Sequence, residues 1–333
     1  MSRGECPAFP GFVDLQVNGF RGVDFADPDL TEERFAEACH GVLQGGVAAF
    51  LPTVITCPLD VCRRNLSLIA RAMRRSDLED RVLGVHLEGP FISREPGYVG
   101  AHDPEHVHFP APSLLEEMQA WADGTIRLLT MAAELPGAVG LAHCARGLGI
   151  AVSVGHSHCT ASDLARLAKV GATALTHLGN GVPADLPRHD NPIWAGLACD
   201  DLTAMIIADG HHLPEPVIRV ILRVKGADRT VVVSDLCPIA GLPPGEHLCF
   251  GHRVVLEVSG RVSLPKRGCL AASGNTMLEG MNHLASLGIL SEEDLLAVGF
   301  HSPLRLIGAD PARIRGGTGV IFDRGAARFT LHG

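Results

Sequence analysis

Residues 149–177 read GIAVSVGHSHCTASDLARLAKVGATALTH. Two short apolar runs, 149–156 and 172–177, flank a segment at 161–170 whose apolar residues recur at helical spacing. A continuous apolar run is typical of a parallel strand that is buried on both faces, and parallel neighbours need a crossover helix between them. The stretch therefore predicts one strand–helix–strand unit, in which each strand ends at a histidine.

The same pattern occurs along most of the chain. Eight apolar runs each end in a polar residue: 12–18 (FVDLQVN), 47–53 (VAAFLPT), 81–88 (RVLGVHLE), 126–134 (IRLLTMAAE), 149–156 (GIAVSVGH), 172–177 (ATALTH), 202–209 (LTAMIIAD) and 230–235 (TVVVSD). Eight such units fit a (β/α)8 barrel of about 250 residues, with functional groups at the carboxyl ends of its strands. A doubly wound open sheet is the alternative, but residues 18–22 (NGFRG) lack its glycine fingerprint.

The segments between and after the runs complete the expected architecture. Helices are predicted at 31–44, 59–75, 113–122, 138–146, 161–170, 215–225, 276–287 and 291–298. Alternating residues at 248–258 and 261–264 predict a β-hairpin around Ser259-Gly260, and 319–323 and 328–331 are further strand candidates. We expect a barrel domain at 1–310, with this hairpin as an insertion around 245–265, and a short C-terminal β remnant at 311–333.

Composition limits the classes of function. With 46% hydrophobic and 20% charged residues the chain is typical of a globular protein, and its net charge of −9 disfavours a nucleic-acid partner. No run reaches the ~18 apolar residues of a membrane span, and the first residues lack the apolar core of a signal peptide. The ten cysteines are scattered and form no C-x-x-C pair, so we expect reduced thiols and a cytoplasmic location.

Three runs end in residues that can bind a metal ion. Glu88, His156 and His177 end the third, fifth and sixth runs, and the barrel would bring them to one rim. One glutamate and two histidines with an open position for water are typical of a hydrolytic zinc site. A single histidine at a strand end is more often a hydrogen-bonded structural residue, and we interpret His143, His158 and His211 in that way or as outer neighbours of the site.

The eighth run ends at Asp235, a candidate general base. A carboxylate beside an activated water can accept its proton and then deliver it to a leaving amine. The alternative is a carboxylate that caps a turn or a helix. Asp14 and Asp209 compete for the same role, although Asp14 lies inside the first run and is interpreted as structural.

Taken together, several segments resemble the N-acetylglucosamine-6-phosphate deacetylases of the amidohydrolase superfamily. Their order follows that of the family and they span residues from about 10 to 310: PGFVDLQVNG (10–19), LPT (51–53), GVHLEGPFI (84–92), GAHDPEHV (100–107), SVGHSHCTA (153–161), ATALTHLGNGVP (172–183), IIADGHHLP (206–214), VSDLCPIAG (233–241) and LAASGNTMLEG (270–280). Each motif alone is weak, whereas HLEGP, GAHDP, GHS and THL-x-N together are highly specific.

The resemblance implies roles for individual residues. Glu88, His156 and His177 match the family's metal ligands, Asp235 its catalytic acid/base, and His102 the residue that binds and polarises the acetamide carbonyl. The expected substrate-binding residues are Ala101, His102, Asn180, Gly181, Arg188, Asp209, His212, Leu270, Ala271 and Ala272, among which Arg188 and His212 match phosphate ligands. From the residues alone, Arg188 could equally be a surface arginine. The resemblance also implies a homodimer.

The first run bears on the number of metal ions. Many amidohydrolases have His-x-His here, and those histidines hold a second ion. This chain has Gln16 and Asn18, neutral amides that are poor ligands for a transition metal. A subgroup of the family shares this pattern and binds one metal, so we expect one divalent ion, zinc by preference.

Two departures from the family affect the expected fold and substrate. Only nine residues precede Pro10 and the C-terminal part is short, so we expect the family's accessory β-sandwich to be missing or vestigial. Gly179 and Gly181, and Leu236 and Cys237 beside Asp235, also differ from the usual family residues. The expected reaction is deacetylation of N-acetylglucosamine 6-phosphate. The alternatives are the same hydrolysis of another N-acyl amino sugar or pseudo-sugar, and a catalytically silent sugar-phosphate-binding protein.

Overall fold

Eight parallel strands form the centre of the molecule in this computed structural model, which describes residues 8–314 and 318–332. The strands are β1 (Phe12–Val17), β2 (Val47–Ile55), β3 (Val85–Glu88), β4 (Ile126–Met131), β5 (Ala151–Val154), β6 (Ala172–Leu175), β7 (Thr203–Ile207) and β8 (Thr230–Val233). They pair in chain order in one sheet. Each of the eight runs contains one of them, so the predicted eight-stranded parallel α/β barrel is confirmed.

The sheet closes between β1 and β8 through Asp14 within β1 and through residues just beyond the carboxyl ends of the two strands. The backbone N–H of Asn18 donates to the Leu236 carbonyl at 2.8 Å. The buried Asp14 carboxylate accepts hydrogen bonds from the Ser234 backbone N–H, at 3.1 Å, and from the Ser234 hydroxyl. Burial raises the pKa of Asp14 to about 6, against the effect of these hydrogen bonds. Asp14 therefore joins the first strand to the last, in agreement with its structural interpretation.

Helices surround the sheet and follow the predicted segments closely. They are α1 (Glu32–Gln44), α2 (Leu59–Ala72), α3 (Pro112–Trp121), α4 (Ala138–Gly147), α5 (Ala161–Val170), α6 (Pro192–Ala198), α7 (Glu215–Lys225), α8 (Met277–Ser286), α9 (Glu292–Leu296) and α10 (Ser302–Leu306). Sequence analysis missed α6 and α10, which are short and begin beside prolines. Within the described residues, no helix combines the length and the apolar character needed to cross a membrane.

Two apolar layers hold these elements together. The larger layer lies between the strands and the surrounding helices. A smaller cluster fills the barrel, where Val13, Leu15 and Met205 pack with Phe300 and Leu304 from the α10 region, which comprises α10 and the helical turn before it (297–306). The cluster also contacts Leu83, two residues before β3 begins, and Ala151, the first residue of β5. The α10 region therefore covers the amino end of the barrel, and the opposite end is available for chemistry.

Antiparallel sheets outside the barrel differ from the expectation. The predicted single strand at 248–258 is interrupted at Phe250 and Gly251, whose φ angles of 51° and 73° make a tight turn. The insertion is a four-stranded sheet of β9 (Gly245–Cys249), β10 (His252–Leu256), β11 (Val262–Leu264) and β12 (Cys269–Leu270).

A second antiparallel sheet joins the two ends of the described chain. In it β13 (Gly319–Asp323) pairs with β14 (Arg328–His332) and with Ala8–Phe9. A further hairpin pairs Gly19–Phe20 with Val23–Asp24. Accessory β structure is thus present, and the expectation that it is missing is not confirmed. The division into domains at residue 310 stays a prediction.

Candidate active site and metal centre

Four side chains meet at the carboxyl end of the barrel. Glu88 ends β3, and His156, His177 and Asp235 follow β5, β6 and β8 by two residues each. All four are buried, with at most 8% of their surface exposed. The backbone of His156, His177 and Asp235 is left-handed, with φ of 52°, 31° and 51°. Such a conformation costs about 1–3 kcal/mol per residue and is concentrated at functional sites. The strain therefore indicates that these three positions belong to a functional site.

Glu88, His156 and His177 offer a set of metal ligands. Their candidate ligand atoms all lie within 4.8 Å of one another. The His177 Nε2 atom is 3.1 Å from both Glu88 Oε1 and His156 Nε2, and His156 Nε2 is 3.4 Å from Glu88 Oε1. Two imidazole nitrogens and one carboxylate are a donor set that suits zinc and similar divalent ions. The arrangement therefore fits a metal centre.

The surroundings of His156 orient its ring for this role. Its Nδ1 lies 2.7 Å from the backbone carbonyl of Tyr98, which can only accept a hydrogen bond. In the neutral ring the proton is therefore on Nδ1, and the lone pair of Nε2 is directed at the other ligands. Gly100 and Gly181 lie against the same ring, where added Cβ atoms would come within 2.9 Å and 3.1 Å of it.

The pKa values of the two carboxylates, Glu88 and Asp235, are shifted in opposite directions. Burial raises the pKa of Glu88, but its close contacts with the imidazoles of His156 and His177 outweigh this effect and hold the pKa well below its usual value. Burial and the neighbouring Glu88 charge raise the pKa of Asp235 to about 8. Glu88 is thus held as an anion that could bind a cation, whereas Asp235 can take up a proton near neutral pH, as a general acid/base must.

His102 lies beside this group. It is 4% exposed, with Nδ1 3.0 Å from the Thr56 hydroxyl and Nε2 3.9 Å from Glu88 Oε2. Burial, and then the nearby His156, lower its pKa to about 3, so the ring is neutral at neutral pH. A neutral ring with its proton on Nε2 can donate one hydrogen bond to a substrate oxygen.

A cavity of about 270 Å³ opens over these groups. It is lined by all four residues at the strand ends and by most of the expected substrate-binding residues, namely Ala101, His102, Asn180, Gly181, His212, Leu270 and Ala272. The other three lie elsewhere. Arg188 is exposed, Ala271 is buried outside the lining, and Asp209 lies behind His212, where its carboxylate is 2.8 Å from His212 Nδ1.

Sequence analysis missed three contributors to the site. Gln16 and Asn18 were interpreted only as amides that bind no second metal, yet their side chains donate hydrogen bonds to the two carboxylates. The signal was present in their placement at the end of the first run. Phe250 also lines the cavity, but the insertion that carries it had no motif to connect it with the barrel.

Comparisons with known proteins agree with this geometry. The chain matches no protein-family model. It is 30% identical over 304 residues to the N-acetylgalactosamine-6-phosphate deacetylase of Escherichia coli O157:H7, covering 90% of this chain and 78% of that protein. It is 34% identical over 322 residues to the N-acetylglucosamine-6-phosphate deacetylase of Bos taurus, covering 92% of this chain and 76% of that protein.

A solved structure supports the fold. A mutant of N-acetyl-D-glucosamine-6-phosphate deacetylase from Mycobacterium smegmatis, in complex with N-acetyl-D-glucosamine-6-phosphate, superposes with a TM-score of 0.87. The match covers 98% of this chain and 85% of that one at 24% identity. The similarity therefore includes the barrel and the antiparallel sheets beside it.

Proposed function

The chain belongs to the N-acetylglucosamine-6-phosphate deacetylase family, and from that premise we propose that it hydrolyses N-acetylglucosamine 6-phosphate to glucosamine 6-phosphate and acetate. The observation that carries the proposal is the meeting of Glu88, His156, His177 and Asp235 in one cavity. A binding protein without catalysis would need the ligands but not a buried acid/base next to them.

One divalent cation, zinc by the preference of the ligands, would be held by Glu88, His156 and His177. When bound, such an ion polarises an amide carbonyl and makes a water more acidic. The amides of Gln16 and Asn18 stand where a second ion would need ligands, and amides bind transition metals poorly. We therefore propose a single ion for each chain.

Asp235 moves the proton in the proposed reaction. Its carboxylate accepts a proton from the attacking water and afterwards delivers it to the sugar nitrogen, so that the amine leaves neutral. A pKa raised to about 8 suits this exchange, because both protonation states are accessible near neutral pH. A bound cation near the carboxylate would lower that value.

His102 would bind the acetamide oxygen. When the Thr56 hydroxyl donates to Nδ1, the proton of the neutral ring lies on Nε2, on the side of the ring nearer Glu88. The N–H then stabilises negative charge that develops on the carbonyl oxygen. Buried neutral donors of this kind act strongly because water does not screen them.

The phosphate would be bound beside His212. His212 lines the cavity and is held by Asp209, and Arg188 belongs to the exposed loop that follows Asn180 and Gly181. A guanidinium can bind a phosphate through two parallel hydrogen bonds. Because Arg188 is exposed, we propose that it reaches the ligand only when substrate binds or when two chains pair as a homodimer.

Acetate release from a set of substrates tests the proposal. We expect turnover of N-acetylglucosamine 6-phosphate and much weaker turnover of unphosphorylated N-acetylglucosamine. N-acetylgalactosamine 6-phosphate belongs in the same assay, because a relative of similar identity carries that substrate in its name. Arg188→Ala should raise KM for the phosphorylated sugar alone. An unchanged KM would show that Arg188 does not bind the phosphate. Faster hydrolysis of another N-acyl sugar would show that this sugar, and not N-acetylglucosamine 6-phosphate, is the preferred substrate.

A further inference from the structure

Two buried amides lie between the carboxylates of the site. The Gln16 Nε2 atom donates to Glu88 Oε1 at 2.9 Å and to Asp235 Oδ1 at 3.0 Å. The Asn18 Nδ2 atom donates to the same Asp235 Oδ1 at 2.8 Å. Gln16 is fully buried and Asn18 is 2% exposed. These three hydrogen bonds connect the first strand to both functional carboxylates.

The hydrogen bonds distinguish the two oxygens of Asp235. Oδ1 accepts both amide N–H groups, whereas Oδ2 accepts no hydrogen bond from any residue within 8–314 and 318–332. The Asp235 backbone is held as well, since its carbonyl accepts from the Ser273 N–H at 2.8 Å. A carboxylate anchored through one oxygen cannot rotate freely, and its other oxygen keeps a fixed direction.

Stability does not explain these amides. The oxygens Gln16 Oε1 and Asn18 Oδ1 are buried, and no described residue is hydrogen-bonded to either. A buried polar atom without a partner costs about 1–3 kcal/mol. The two amides therefore cost stability through their unpaired oxygens, while their N–H groups donate hydrogen bonds to Glu88 and Asp235. Amides also suit the position because they donate to two neighbouring anions without adding a positive charge that would compete with a cation.

We propose that Gln16 and Asn18 are positioning residues for hydrolysis: they fix Asp235 through Oδ1, so that Oδ2 is the oxygen that exchanges the proton with substrate. Gln16 also sets the distance between Asp235 and Glu88, and hence between the proton carrier and the metal centre. The inference rests on the proposed function, since it assigns a role within that reaction.

Kinetics of Asn18→Leu test the inference. A hydrogen bond to a charged group contributes enough that its loss should lower kcat about 10- to 100-fold. KM should stay within about threefold, because Asn18 acts through Asp235 and not through binding. Asn18→Ala removes the same N–H donor without adding a charge, so it should show a similar loss if Asn18→Leu does not fold.

Coupling separates positioning from a general structural effect. In an Asp235→Asn background, Asn18→Leu should cause little further loss, because residues that act as one unit are strongly non-additive. Gln16→Met should also weaken cation affinity, measured by competition with a chelator, since Gln16 donates to Glu88. Asn18→Leu should leave that affinity within about twofold, in contrast to the 10- to 100-fold loss usual for a group that hydrogen-bonds a ligand.

A matched control uses a buried amide outside the site. Asn65 is fully buried and donates to the backbone carbonyls of Phe25 and Asp27 at 3.0 Å and 2.8 Å. Asn65→Leu should lower the unfolding midpoint and retain kcat. A wild-type kcat in Asn18→Leu, or an equal loss in both backgrounds, overturns the inference. Normal turnover by Asp235→Asn would instead overturn the proposed function, so the two failures are distinguishable.

Discussion

His156 is confined on three sides, by the Tyr98 carbonyl, Gly100 and Gly181. Gly100 has φ of +59°, and a Cβ there would lie 2.9 Å from the imidazole. Gly100→Ala should therefore displace the ring and weaken cation affinity about 10-fold or more, the usual effect of disturbing the support of a ligand. Titration with a chelating dye measures the affinity.

The control for Gly100→Ala is Gly124→Ala. Gly124 has φ of +76°, but no atom of residues 8–314 or 318–332 lies within 4 Å of an added Cβ. The Gly124→Ala variant has the same kind of backbone strain, about 1–2 kcal/mol, but its added Cβ does not contact the site. Equal cation affinities in the two variants would show that Gly100 does not position His156.

Asp24 gives a prediction about pH. Burial raises its pKa to about 7, against a hydrogen bond from the Ala26 N–H. The folded protein then binds more protons than the unfolded chain between about pH 4 and 7, and its stability falls as pH rises through that window. Asp24→Asn removes this loss, so between pH 5 and pH 8 the variant should gain on the order of 3 kcal/mol relative to wild type, because the two pH units below the folded pKa of about 7 each contribute about 1.4 kcal/mol.

Urea unfolding at pH 5 and pH 8 measures the Asp24 effect. The exposed Asp29 is the control, and Asp29→Asn should follow the wild type at both pH values. If the difference between Asp24→Asn and wild type is the same at pH 5 and pH 8, the folded protein does not bind the extra proton at Asp24.

At the scale of elements, the insertion β9–β12 supports the segment that carries Gly100 and His102. The Arg267 guanidinium, in the turn between β11 and β12, donates to the Gly100 carbonyl and to the His102 carbonyl, the latter at 3.3 Å. Phe250, in the turn between β9 and β10, lines the cavity. The insertion thus holds the segment that carries His102 from outside the barrel.

Arg267→Ala should loosen that segment and lower kcat/KM about 10-fold, the effect of losing a hydrogen bond from a charged group. Steady-state acetate release measures it. Lys266→Ala is the neighbouring control, because Lys266 is exposed and has no hydrogen bond in the described structure. Equal kinetics for the two variants would show that the Arg267 contacts do not support the segment that carries His102.

The elements also show what a sequence can reveal. The βαβ unit at 149–177 is local: its periodicity and the Thr160–Asp163 capping box specify strand, helix and strand directly. The position of Gln16 near the end of its run indicates that it lies near the site, but the register between distant strands is not local, so its partners Glu88 and Asp235 could not be identified. His86 illustrates the same limit. It lies two residues before Glu88, yet it is a buried structural residue bonded to the Leu15 carbonyl and to Thr130.

At the scale of the molecule, the two ends of the barrel have different functions. The α10 region fills the amino end with Phe300 and Leu304, and the carboxyl end carries the cavity. The resemblance seen in the sequence located this end because its motifs lie at strand ends, and family membership confirms that resemblance. The exposure of Arg188 could not be foreseen, because a loop conformation depends on contacts that no motif specifies.

A bound cation should stabilise the whole fold, because its ligands come from three separate strands and are assembled only in the folded chain. At a free concentration 100 times its dissociation constant, the ion raises the free energy of unfolding by about 2.7 kcal/mol. A chelator should therefore lower the thermal midpoint and zinc should restore it. His177→Ala should show no such response, and a wild type insensitive to both treatments would contradict the metal centre.

The central claim is that a cation-loaded site with Asp235 as proton carrier hydrolyses the amide. Its most direct test is acetate release from N-acetylglucosamine 6-phosphate by the wild type and by Asp235→Asn, with metal content measured on the same samples. We predict about one ion per chain in both proteins and a turnover about 100- to 10,000-fold lower in the variant. Near-normal turnover by fully loaded Asp235→Asn would contradict the account.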